Sequence, residues 1–169
     1  MCGIIAIVSF KNHRHNLSKM NIMAKMIEHR GPDDEGYALF DVESSDYRIF
    51  YGDDTPKEVI DSNLKFAPKN RCQYPGERFS VGLVHRRLSI IDLSATGHQP
   101  MSDETGRFWI TYNGEIYNFK EIREELKKLG YSFFSNTDTE VVLKSYMAWG
   151  KGCQSRFNEI GRASCRERV

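Results

Sequence analysis

The first residue whose position suggests chemistry is Cys2, directly after Met1. Initiator methionine is normally removed before a small residue, and removal here would leave a thiol and a free α-amine on one residue. A cysteine thiol ordinarily titrates near about 8.5 and a terminal amine near about 7.7–8.0. The amine can therefore take the thiol proton, directly or through water, as it does for N-terminal threonine nucleophiles. Such a site needs no histidine base. A Met-Cys start alone is also what an inert cysteine would show, so the reading depends on its company.

The remaining cysteines, Cys72, Cys153 and Cys165, form no C-x-x-C pair with each other or with Cys2. A structural zinc site is not expected, and no metal site is assigned. Their scatter is unlike a secreted disulfide scaffold and fits a reduced, cytoplasmic compartment. His13 and His15 are close in sequence but have no third ligand nearby, and they read as solvated loop residues. His29 and His85 read as structural.

A chain of 169 residues with 24 basic and 23 acidic side chains and a formal charge of +1 fits one globular domain with a real core. The even balance argues against a dedicated nucleic-acid binder. The apolar run after Cys2 is too short to span a membrane, and no basic residue leads into it as in a signal peptide.

The elements that must position Cys2 follow from the pattern. Strands are expected at Gly3–Phe10, Gly36–Val42, Tyr47–Tyr51, Phe79–Val84 and Phe108–Tyr112, the last ending in an Asn113-Gly114 turn. A helix capped by Asn16 or Ser18 should pack through Met20, Met23, Met26 and Ile27, and stop by Arg30-Gly31-Pro32. Residues 52–77 read as a surface insertion with a short helix near Lys57–Asn63. Two helices follow. Phe119–Leu129 is closed by Gly130; Glu140–Trp149 is capped by Asp138 or Thr139, with Val142, Leu143, Tyr146 and Met147 inward. Strands and helices in this order suggest an α/β protein built in layers.

Six blocks occur in order: Met1-Cys2-Gly3-Ile4, His29-Arg30-Gly31-Pro32-Asp33, His85-Arg86-Arg87-Leu88-Ser89-Ile90-Ile91-Asp92, Gln99-Pro100-Met101, Tyr112-Asn113-Gly114-Glu115-Ile116-Tyr117-Asn118 and Thr137-Asp138-Thr139-Glu140. Together they resemble the class II glutamine amidotransferases, most of all the glutaminase domain of the glutamine-hydrolysing asparagine synthetases. The resemblance covers residues 1–158. It implies an α+β fold, the N-terminal nucleophile αββα sandwich of two antiparallel sheets flanked by helices.

The resemblance also implies roles. Cys2 would attack the side-chain amide of L-glutamine. The Asn113 side-chain amide and the Gly114 N–H would hold the oxyanion. Arg87 would grip the substrate α-carboxylate, which a planar guanidinium does with two parallel bonds and lysine does not. Leu88, Ser89, Ile90 and Ile91 would line the pocket with backbone groups, and Glu115 and Asp138 would hold the α-ammonium. Arg30 to Asp33 would shape the turn beside Cys2. Simpler alternatives are a surface arginine for Arg87, a hairpin turn for Asn113-Gly114 and a helix cap for Asp138.

The glutaminase part implies no cofactor. Family members continue with further strands and a C-terminal ATP- and Mg2+-dependent synthetase domain that converts aspartate to asparagine, and the chain is expected to stop before these. A homodimer is compatible with the family. Residues 159–169 lack apolar periodicity and resemble the in-frame translation of a sequencing adapter, so they are expected to be a non-native tail. Two other readings stand beside the synthetase: the same glutaminase chemistry feeding another acceptor, and an inactive domain kept for assembly.

Overall fold

The computed structural model describes residues 2–10, 14–72, 77–89 and 92–167. Met1, His13, Ile90 and Ile91 lie outside them.

The apolar, β-branched run Gly3–Val8 forms β1. After the short β2 (His15–Asn16) comes α1 (Leu17–Met26), capped by Asn16, whose side chain accepts from the Ser18 N–H at 2.8 Å. The expected methionine stripe holds only in part. Met20 is buried with Leu17 and Ala24, whereas Met23 is 39% and Met26 72% exposed. With 3.6 residues per turn, Met26 lies across the helix from Leu17.

Strands β3 (Asp34–Phe40), β4 (Tyr47–Tyr51), β5 (Asn70–Arg71), β6 (Arg78–Phe79) and β7 (Val81–Arg87) follow, with α2 (Lys57–Ile60) between β4 and β5. They build a five-stranded sheet in the order β1-β7-β3-β4-β5, while β2 pairs with β6. All its ladders are antiparallel except β4 with β5. Every residue of β3 and β7 is buried, because α1 covers one face of the sheet and a second sheet covers the other.

That second sheet comprises β8 (Met101–Ser102), β9 (Phe108–Ile116) and β10 (Glu159–Glu167), with β9 in the middle. Helices α3 (Phe119–Lys128) and α4 (Asp138–Trp149) pack behind it. The layers are helix, sheet, sheet, helix. Trp109 anchors the space between the sheets, fully buried against Phe40 and Tyr47 with ring centroids 5.5 and 5.0 Å away. Truncating such a residue to alanine typically costs about 3–5 kcal/mol.

Three expectations change. Strand β9 runs on through Asn113 and Gly114 to Ile116, so the dipeptide is extended strand and not a turn. The cap of α4 is Thr137, whose hydroxyl accepts from the Glu140 N–H, which frees Asp138 for another contact. Residues 52–77 are not merely a surface excursion: Phe66 is buried in the main core and stacks on His98. Residues 159–167, the stretch expected to be a non-native tail, run antiparallel to β9 along its whole length, a pairing that says nothing of their origin. There Gly114 faces Gly161; a Cβ on Gly114 would lie 2.6 Å from the Gly161 Cα and 2.5 Å from the Tyr112 hydroxyl. Among the described residues, no helix is long and apolar enough to cross a membrane.

Candidate active site

The register Gly3↔Arg86 between β1 and β7 brings Cys2 beside the Arg87–Leu88 step. The Leu88 N–H donates to the Cys2 sulfur at 3.3 Å, and the thiol reaches the Leu88 carbonyl at 3.6 Å. Cys2 is partly exposed. Its own carbonyl accepts from Arg30 Nε at 3.2 Å. Asp33 holds the other side of the same turn: its N–H donates to the Arg87 carbonyl at 3.0 Å, and its carboxylate accepts from the Ser89 N–H at 2.8 Å. The segment Arg30–Asp33 therefore fixes both Cys2 and the strand end beside it.

Side chains alternate across a strand, so Arg86 and Arg87 part company. Arg86 turns to the α1 face, buried between Glu35 at 3.0 Å and Asp54 at 2.7 Å. Arg87 turns to the face between the sheets and is also buried, not a surface arginine. Its guanidinium donates to the backbone carbonyls of Ser94, at 3.2 Å, and Asp92. A Cβ on Gly97 would collide with it, so glycine makes the room. None of the ion pairs among the described residues uses Arg87. A buried guanidinium hydrogen-bonded to neutral carbonyls, with no carboxylate in direct contact, can still pair with an incoming carboxylate.

Asp92 braces this loop by accepting from Ser94 and Thr96, and these bonds outweigh its burial and hold its carboxyl below the usual range. Behind it, Asp34 pairs with His98 Nδ1 at 2.8 Å, both fully enclosed. Burial alone would raise the Asp34 carboxyl, but His98, Arg87 and His85 together bring it below its ordinary value.

Strand β9 supplies the facing wall. Its odd positions look toward the first sheet: the Thr111 hydroxyl donates to the Val84 carbonyl at 3.3 Å. Asn113 and Glu115 share that face. Asp138, at the start of α4, accepts from the Ile116 N–H at 3.2 Å. Burial raises the Asp138 carboxyl, and the nearby Glu115 charge adds to the rise. Two carboxylates so placed attract a cation, which relieves both the burial and the repulsion.

His85 donates from Nε2 to the Tyr112 carbonyl at 3.0 Å; burial holds it down to about 4, so it is neutral and structural. Of the residues singled out in sequence, the structure gathers Cys2, Arg87 and Leu88 at one strand end, and Asn113, Gly114, Glu115 and Asp138 along β9 and its cap. Ser89 meets Asp33 through its N–H. Ile90 and Ile91 lie outside the described residues. Sequence reasoning did not identify Gly97 or Gln99; Gln99 was visible only as part of a motif without a role. Among the described residues, no group of three or more His, Cys, Asp or Glu side chains could hold a metal ion.

A model described as a glutamine amidotransferase domain matches residues 69–160. The chain is similar to a putative glutamine-hydrolysing asparagine synthetase of Methanocaldococcus jannaschii, with 36% identity over 94% of this chain and 26% of the relative. It is also similar to an isomerising glutamine–fructose-6-phosphate aminotransferase of Sulfolobus acidocaldarius, with 35% identity over 93% of this chain and 25% of that protein. The chain thus spans about a quarter of the length of these relatives. Among solved structures, the glutamine phosphoribosylpyrophosphate amidotransferase from B. subtilis superposes with a TM-score of 0.73 at 16% identity, over 98% of this chain and 35% of that one. That likeness shows the fold: the N-terminal nucleophile sandwich.

Proposed function

Because the chain belongs to the glutamine amidotransferase domain family, we propose that it hydrolyses L-glutamine to glutamate and ammonia with Cys2 as the nucleophile. Removal of Met1 frees the α-amine, which takes the thiol proton. The thiolate attacks the side-chain amide carbon. The oxyanion that forms is held by the Asn113 side-chain amide and the Gly114 N–H, an arrangement in which one lost donor typically costs about 10²–10³ in rate. The C–N bond breaks, and ammonia leaves with the proton returned by the amine. Water then cleaves the thioester to glutamate and restores the thiol.

Arg87 holds the substrate α-carboxylate; Glu115 and Asp138 hold its α-ammonium. A pocket that tests both charges excludes simple amides. The observation that carries this reading is the Cys2 sulfur at the Leu88 N–H, 3.3 Å away, one residue from a buried Arg87. Ammonia would pass to a C-terminal domain beyond this chain, which in the asparagine synthetase reading uses ATP and Mg2+ to activate aspartate. The similarity to an aminotransferase whose name specifies fructose 6-phosphate supports a second reading in which the acceptor is a sugar phosphate.

The test is glutamate release from glutamine by the chain with a free Cys2 amine. Release that disappears in Cys2→Ala supports the proposal. Release unchanged in that variant, or none from folded protein, refutes it.

A further inference from the structure

The β8–β9 ladder pairs Met101 with Ile110 and Ser102 with Trp109. Extended by two residues, the same register sets Gln99 opposite Tyr112. In that register the backbone partner of the Tyr112 N–H would be the Gln99 carbonyl. The side chain of Gln99 takes its place: Oε1 accepts from the Tyr112 N–H at 2.7 Å. On the same edge, the Tyr112 carbonyl accepts from His85 Nε2 at 3.0 Å. Two buried side chains thus grip both backbone groups of the residue before Asn113.

In an antiparallel sheet the N–H and C=O of one residue point to the same neighbour, and successive residues alternate. Tyr117 donates to Asn158, on the β10 side. Tyr112 and Ile116 point the other way, to Gln99 and Asp138. Gly114 lies between them and shares their parity, so its N–H points away from β10 into the gap between these two caps. The other end of the Gln99 amide spans that gap: Nε2 donates to the Thr139 hydroxyl at 3.2 Å, one residue from Asp138. Gln99 is 6% and Thr139 5% exposed.

We propose that Gln99 is a positioning residue that fixes the Gly114 N–H relative to Asp138, so that oxyanion donor and ammonium acceptor keep one spacing. It touches neither substrate nor Cys2. The inference rests on the proposed glutaminase reading for its kinetic consequence, but the geometry it asserts is testable without turnover.

In Gln99→Met, which keeps length and loses both bonds, the Tyr112 amide should exchange faster and the Gly114 amide should become mobile by NMR. The Ile110 amide, outside the grip, should stay protected. With glutamine, kcat should fall about 10- to 100-fold with KM within about twofold, since an oxyanion donor acts in the transition state. Thr139→Val severs only the link to α4 and should shift the same amides less, with a few-fold loss in kcat; it also serves if Gln99→Met does not fold. Unchanged Tyr112 and Gly114 amides in these variants overturn the inference, as does an unchanged kcat beside an active parent. An inactive parent whose amides respond as described overturns the glutaminase reading and leaves the positioning intact.

Discussion

The N–H of Leu88 meets the Cys2 sulfur at 3.3 Å, across the end of β1 and β7. This backbone donor fixes the sulfur at the strand end. It costs no reorganisation, because Asp33 and Arg30 already hold both sides of the turn. Cys2 is therefore placed by backbone, which leaves the side chains around it free for other contacts.

Arg87 is anchored to two carbonyls and fits a space kept open by Gly97. Arg87→Lys keeps the charge but loses the planar fork. Glutamine affinity should drop by about 1.5–3 kcal/mol, roughly 10- to 100-fold in KM, with kcat less affected. Steady-state kinetics on glutamine measures it. An unchanged KM would place the α-carboxylate elsewhere.

Asp138 must be ionised to hold an ammonium, and burial raises its pKa. On acidification it protonates sooner than an ordinary carboxylate, so KM for glutamine should climb before the usual carboxylate range is reached. Asp138→Asn should raise KM at neutral pH by about 10-fold or more and remove that rise. KM profiles from neutral to mildly acidic pH compare the two.

His85 is held at about 4 from an ordinary 6.5. Its folded-state pKa is depressed, so the unfolded chain binds the proton more readily between these values. Stability is full above about 6.5 and falls by up to about 3 kcal/mol as pH drops towards 4. Asp138, with its raised pKa, acts in the opposite sense over the same acid side. His85→Gln can still donate to the Tyr112 carbonyl but cannot titrate, so its denaturation midpoint should depend less on pH across this window. A variant as acid-sensitive as the parent would show that another group dominates.

The strands β1, β3, β4 and β7 and the helices α1, α3 and α4 were legible because their apolar residues recur with the right period. Arg87 and Asp138 were legible only through the order of the motifs. Two features were hidden for physical reasons. Met23 and Met26 keep the spacing of a core stripe, but only a tertiary partner decides which side of a helix is covered. Thr137, Asp138 and Thr139 are all good caps, and the Ile116 N–H, distant in sequence, drew Asp138 away from that role.

The central claim is that Cys2 attacks the side-chain carbonyl of glutamine. The most direct measurement is the intact mass and peptide map of the chain, with Met1 removed, after exposure to 6-diazo-5-oxo-norleucine, a glutamine-like electrophile. The account predicts one adduct, confined to Cys2, prevented by excess glutamine and absent in Cys2→Ala. An adduct on Cys72 or Cys153, or none on a folded chain with a free Cys2 amine, would contradict it.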